Sequence, residues 1–183
     1  MTTTYEAVRS AVGAFEVEVV RTQRLSPTFL RVTFGGASLH DFLDHGPRGP
    51  RDLRVKLVVP VGSRRPLHVT DLSDGWYQRW RALDPEERGV MRTYTVRRTR
   101  LGGPDPQIDV DFVLHVDETG GGGPASTWAA AARPGDRITL IGPAAGAEGY
   151  GGIEWRPPRP SGLTPCRVLL VGDETAVPAV CSI

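Results

Sequence analysis

Arg92-Thr93-Tyr94-Thr95-Val96-Arg97 carries the sharpest chemical signal in the chain. Side chains alternate along an extended strand, so Arg92 and Tyr94 share one face. There a guanidinium can grip phosphate through two parallel hydrogen bonds, and a phenol can pack and hydrogen-bond beside it. That pair suits a dinucleotide. Thr95 falls on the opposite face and reaches the same ligand only by a local twist or through its backbone. Gly122-Gly123-Pro124-Ala125-Ser126-Thr127-Trp128 is a glycine-rich turn feeding a helix start. Its unpaired N–H groups and the positive end of the helix dipole favour a pyrophosphate. In Asp111-Phe112-Val113-Leu114-His115, the histidine points opposite to Phe112 and Leu114 and can line a ligand cleft. Taken alone, each segment also has a plainer reading: a surface strand with a packed tyrosine, a flexible loop with a helix cap, a solvated histidine.

The elements that position these residues read mainly as strands. Residues 14–23 alternate, with Phe15, Val17 and Val19 on one side and Glu16 and Glu18 on the other, so one sheet face is buried. Phe29 to Phe34 and Leu53 to Val59 are further strands, suggesting a meander. In the latter, Leu53, Val55, Leu57 and Val59 face the core, while Arg54, Lys56 and Val58 face away. Thr70 to Glu87 is a long irregular connection with a short helix. Met91 to Thr99 is the fourth strand and Gln107 to Val116 the fifth. Ser126 to Ala132 is a short helix with Ser126 as N-cap, and Arg137 to Ile141 is the sixth strand. Six short strands with one helix before the last predict a mainly β fold: an antiparallel Greek-key barrel.

Composition narrows the possibilities further. The chain has 183 residues, with 39% hydrophobic and 23% charged residues, enough for a packed core. Gly 22 and Pro 16 together make up about a fifth of the chain, which favours strands and turns over a helical bundle. The net charge of +1 excludes an argument for nucleic acid or membrane binding from charge alone. Of the 22 basic residues only one, Lys56, is a lysine. Cys166 and Cys181 form no metal-type pair, and no spaced Cys/His cluster exists, so neither a structural zinc nor a disulfide scaffold is expected. No apolar run approaches a membrane span, the N-terminus lacks a signal core, and the expected location is cytoplasmic. Residues 156–165 form a stiff Pro-rich linker, which predicts a barrel domain over 1–155. Beyond it, Arg167 to Val171 reads as a buried apolar strand with a helix start at Ala176, so that 166–183 opens an α/β domain whose remainder is absent.

At these residues the sequence resembles the siderophore-interacting protein family, flavoproteins akin to the ferredoxin reductase superfamily. Its elements follow in order: Leu53 to Pro60, Met91 to Arg97, Asp109 to His115, Gly123 to Ala129, Arg133-Pro134-Gly135-Asp136, and Gly172-Asp173-Glu174-Thr175-Ala176-Val177-Pro178-Ala179. The resemblance implies an FAD-binding barrel, followed by a domain for a reduced nicotinamide, that reduces ferric siderophores and so releases iron. By position, Arg92, Tyr94, Thr95 and Val96 hold the flavin, ribityl and phosphate region. His115, Pro124, Ala125 and Ser126 complete the FAD site, with Thr175 from the later motif. Lys56 matches a lysine of the basic substrate cleft. Two features depart from the family pattern: extra glycines between Val116 and Gly123, and a chain that ends soon after the Asp173-Glu174-Thr175 motif.

Such chemistry resides on the cofactor, so no protein residue is expected to act as a catalytic acid, base or metal ligand. Iron arrives as a bound chelate steered by Lys56 and nearby arginines. NAD(P)H is the expected electron donor, with ferredoxin as an alternative. Two other readings stand beside this one: a flavin reductase with another acceptor, and an FAD-carrying module without turnover.

Overall fold

The computed structural model describes residues 12–43, 51–61, 69–115, 121–146, 152–153, 155 and 167–183. The linker expected over 156–165, Cys166 and most of the loop after Val116 lie outside the described residues. Six strands, β1 (Val12–Arg24), β2 (Phe29–Gly35), β3 (Arg54–Val59), β4 (Val90–Arg100), β5 (Gln107–Val113) and β6 (Arg137–Pro143), close an antiparallel barrel in the order β1-β2-β5-β4-β3-β6. The expected barrel is therefore present. The meander is not, because β3 pairs with β4 and β6 rather than with β2. Alternation marks which face of a strand is buried, but it carries no information about which neighbour the strand takes.

Two strands bend to close the barrel. β1 pairs with β6 over Val12–Glu18 and with β2 over Glu18–Arg24, its register shifting between Val19 and Arg21. β4 pairs with β3 over Val90–Thr95 and with β5 over Val96–Arg100, its register shifting between Val96 and Arg98. An extra residue in one strand sharpens the local bend and twist. The inward side chains Phe15, Val17, Val32, Phe34, Val55, Leu57, Val96, Val110, Phe112 and Leu140 fill the interior, and burying apolar area of this kind is the dominant favourable contribution to folding.

Among the described residues the barrel carries four α-helices, α1 (Trp76–Ala82), α2 (Pro85–Arg88), α3 (Pro124–Ala131) and α4 (Val177–Val180), and one 3-10 turn at Ala37–Asp41. α3 begins two residues earlier than its sequence suggests. Gly123 is the N-cap and Pro124 takes the first turn, where a missing N–H is no loss. Ser126 is thus a buried residue of the first turn and not the cap. Val58, expected on the polar face, is fully buried, as are Thr139 and Ile141; the register places all three on one outward face of β3 and β6, to which α1 brings Trp76. The strand expected at Arg167–Val171 does not form: these residues join no ladder, and Leu169 and Val171 are 86% and 84% exposed. A strand must share its N–H and C=O groups with an edge, and a closed barrel offers none. The helix start expected at Ala176 shortens to the single turn of α4. No helix among the described residues is long and apolar enough to cross a membrane.

Two buried carboxylates stitch β2, β4 and β5 together from outside. Arg31 grips Asp111 with two bonds of 2.7 and 2.8 Å. Asp109 receives two bonds of 2.7 Å from Arg100 and one of 2.7 Å from the Thr33 hydroxyl. Burial pushes the Asp109 carboxyl up, but the bonds from Arg100 and Thr33 outweigh it and hold it below the usual range. A lowered native value stabilises the fold at pH above the unfolded value of about 3.9, and that stability is lost as pH falls through the native value. Asp109→Asn should therefore cost about 1–3 kcal/mol at neutral pH, with the deficit narrowing in acid. Urea unfolding of parent and variant at pH 7 and pH 3 measures it; an equal deficit at both values would remove the charge from the explanation.

Candidate functional site

The β4–β5 ladder runs only from Val96–Val110 to Arg100–Gln107. Ahead of Val96, β4 keeps β3 on one side but has moved away from β5, while β5 runs on to Val113 against β2. The resulting seam opens as a cleft of about 250 Å³, lined on the β4 side by Arg92, Thr93, Tyr94 and Thr95, and on the β5 side by Asp111, Val113 and His115. Arg54 of β3 and Thr175 and Pro178 of the C-terminal segment complete its wall. Pairing with Leu57 and Val55 puts Arg92 and Tyr94 on the inward face, and pairing with Lys56 and Arg54 puts Thr93 and Thr95 on the outward one. All four reach the cleft because it lies along the edge of the strand. Thr95 thus needs no twist of its own.

The cleft suits an anionic ligand with a planar ring. Arg92 is exposed and donates to the carbonyl of Met91 at 2.9 Å, leaving the rest of its guanidinium for phosphate. Arg54 adds a second cation. Asp111, the one carboxylate among the described residues of the wall, is held by Arg31, with Arg97 at 3.9 Å. Tyr94 packs on Phe112, ring centroids 4.4 Å apart. Burial pushes its phenol up to about 12 although Arg92 acts in the opposite sense, so at neutral pH the hydroxyl keeps its proton and can donate it in a hydrogen bond.

The glycine-rich turn meets the cleft at His115. A Cβ at Gly122 would lie 2.4 Å from the His115 carbonyl oxygen, so only glycine lets the two backbones approach. The Ser126 hydroxyl sits 3.4 Å from the same oxygen. The N-terminus of α3 therefore abuts the end of the cleft, anchored by Trp128, which stacks on Phe34 at 6.2 Å and meets Phe112 at 5.9 Å. From the other side His115 faces Glu174, Nδ1 to Oε1 3.9 Å.

Of the residues expected to hold the cofactor, Arg92, Tyr94, Thr95, His115 and Thr175 line this one cleft. Pro124, Ala125 and Ser126 adjoin it through His115 in the first turn of α3. The Val96 side chain is buried in the barrel core, and its N–H donates to the Leu53 carbonyl at 2.8 Å. Lys56 lies elsewhere, in a second cleft of about 320 Å³ over β3 and β6, with Arg54, Trp76, Thr93 and Ile141. Its Nζ is 3.3 Å from the Thr93 hydroxyl. Arg54 and Thr93 line both clefts. Neither was singled out in the sequence, although Arg54 two residues before Lys56 on the same face was a usable signal. Trp76 and Pro178 carried none, since only the folded chain brings them to these walls.

Comparison with known proteins identifies the family and supports the fold. Residues 18–147 match the siderophore-interacting FAD-binding domain. The chain is 30% identical over 167 residues to the ferric vibriobactin reductase ViuB of Vibrio cholerae, covering 91% of this chain and 52% of that protein. It is 31% identical over 140 residues to an NADPH-dependent ferric-chelate reductase of Escherichia coli, covering 75% of this chain and 48% of that protein. The crystal structure of the siderophore-interacting protein SipS from Aeromonas hydrophila superposes with a TM-score of 0.61 at 27% identity, over 94% of this chain and 53% of that one. The chain spans about half the length of these relatives. It belongs to the siderophore-interacting FAD-binding family.

Arg92→Ala tests the expected phosphate contact: a charge-assisted hydrogen bond is worth about 1.5–3 kcal/mol, so FAD affinity should fall about ten- to hundredfold. Fluorescence titration of the apoprotein measures it; unchanged affinity would take Arg92 out of the site.

Proposed function

We propose that this family member holds FAD along the β4–β5 seam and passes its electrons to the iron of a ferric siderophore, which then releases the metal. The observation that carries the reading is the seam itself, where Arg92, Tyr94, Thr95, His115 and Thr175 converge on one cleft beside the α3 N-terminus. The residues present fit such a cofactor: Arg92 for a phosphate, the first turn of α3 for the pyrophosphate, and the Tyr94 phenol as a donor beside the ring system. When bound, FAD supplies an acceptor that takes two electrons together and releases them singly. With NADPH as donor the balance is one NADPH and two Fe(III) going to NADP⁺, a proton and two Fe(II).

The protein's own part is binding, orientation and charge. Arg54 and Lys56 attract an anionic chelate to the face of β3 opposite the core, next to the seam. Hard oxygen ligands hold Fe(II) far less firmly than Fe(III), so a single electron loosens the chelate and no protein ligand to iron is required. The relatives named as ferric reductases support this substrate class, and the NADPH-dependent one supports a nicotinamide donor. A barrel acting over 1–155 with a separate nicotinamide domain, located in the cytoplasm, completes the proposal.

Mixing the anaerobic, FAD-loaded chain, reduced beforehand with dithionite, with a ferric siderophore and a ferrous trap tests the reading. Oxidised flavin absorbance should return while two Fe(II) appear per flavin. A flavin that stays bleached beside intact ferric chelate would sink it. NADPH should bleach the same flavin only slowly, because the described residues form an antiparallel barrel and no parallel strand pair with a switch-point cleft for a dinucleotide. Bleaching at catalytic rates would put the donor site on the barrel.

A further inference from the structure

We infer, on the reading just given, that residues 173–182 form a strap across the FAD seam, and that Ser182 is the positioning residue that sets how fast the cofactor enters and leaves. The segment runs from one side of the cleft to the other. At its start the Glu174 carboxylate faces Nδ1 of His115, just beyond β5, at 3.9 Å. In its middle Thr175 and Pro178 line the cleft, and α4 packs against β4. At its end the Ser182 hydroxyl accepts a hydrogen bond from the Asp52 N–H at 2.8 Å. Asp52 lies two residues before Arg54, which lines the cleft from β3. One short stretch of chain thus bridges β5, β4 and β3 in turn.

Little besides its two ends holds the strap down. Of the α4 residues only Pro178 is buried, while Val177 and Val180 are 40% and 37% exposed. Segments with so little buried apolar surface open locally at small cost, so a single hydrogen bond is a large share of what keeps this one closed. The bond at Ser182 is also well prepared. Its hydroxyl donates to the Ala179 carbonyl at 2.9 Å, which directs the proton into α4 and leaves the oxygen to accept from Asp52. The donor sits in a turn whose two residues are left-handed, Arg51 at φ 32° and Asp52 at φ 63°. Residues other than glycine keep that conformation only where their surroundings over-determine it, and the contact with Ser182 is one such constraint.

Neither Ser182 nor Asp52 is among the residues lining the cleft, so the bond between them favours closure equally with the cofactor absent or present. A change that has no differential interaction with the bound and free states cannot alter the equilibrium between them. Weakening the latch therefore raises the open fraction by one factor in both states: FAD binds faster, leaves faster, and keeps its Kd. A residue that merely supported the shape of the cleft would behave differently. Its loss would speed release alone and weaken binding in proportion.

Stopped-flow flavin fluorescence, with apoprotein mixed with FAD and holoprotein diluted into buffer, gives the two rates. Ser182→Ala should raise each about two- to tenfold, the factor expected for one lost hydrogen bond, with Kd within about twofold of the parent. Ser182→Thr keeps a hydroxyl and should restore the parental rates. Where Ser182→Ala does not fold, Glu174→Gln, which loosens the other end of the strap, is read by the same two rates. Unchanged rates would overturn the inference, as would release quickened alone with Kd weakened to match. Arg92→Ala with parental FAD affinity fails the seam as cofactor site; parental rates in Ser182→Ala beside a weakened Arg92→Ala fail only the strap.

Discussion

The bulge between Val96 and Arg98 governs the rest of this molecule. A strand that paired with β5 along its whole length would seal the barrel and bury Arg92 against Leu57, its register partner, at the cost of an unpaired charge in an apolar interior. By shifting register once, β4 serves β5 with its second half and β3 with its first. The barrel still closes, and a guanidinium on the inward face reaches solvent through the seam. Cleft and fold are therefore the outcome of one backbone irregularity, placed at the motif whose chemistry suits a phosphate.

Opening a seam removes ladder hydrogen bonds, and the charged network on the outer face offsets the loss. Arg31 and Arg97 flank Asp111, while Arg100 and Thr33 share Asp109, so β2, β4 and β5 are clamped where the ladder ends. Ion pairs on exposed surfaces contribute little. These differ because the carboxylates are 2% and 7% exposed and their hydrogen-bonding capacity is taken up by bidentate arginines. The same clamp neutralises Asp111 where it borders the cleft, so a residue that helps hold the barrel together also keeps the cleft positive.

Much of this was legible in the sequence, and the portions that were not share a physical cause. Alternation in Phe15-Val17-Val19 and Ile108-Val110-Phe112 reports a property local to each strand, and both were read correctly. The seam depends on which neighbour β4 takes at each residue, which no local pattern encodes, so Thr95 looked misplaced on the wrong face. Val58 looked solvated because alternation groups it with Arg54 and Lys56 on the outward face, and nothing in β3 announces that this face is covered at Val58. Ser126 looked like a cap because its hydroxyl suits that role, but Pro124 favours the first turn more strongly and moved the start upstream. The apolar run Arg167 to Val171 was read as a strand on composition alone, yet a strand requires an edge to pair with.

Arg54 and Thr93 face both clefts across the β3–β4 pair, and that arrangement bears on how electrons could leave the site. Neighbouring strands lie about 4.8 Å apart, and the seam and the Lys56 cleft share Arg54 and Thr93 of the β3–β4 pair, so the wall between them is a single layer of backbone and its side chains. A ring system in one and a chelate in the other would be separated by little more than that layer. On the proposed reading electrons need no relay of redox-active residues, and the residues common to both clefts are an arginine and a threonine. Arg54 lines both clefts from the outward face of β3, so a single guanidinium adds positive charge to each.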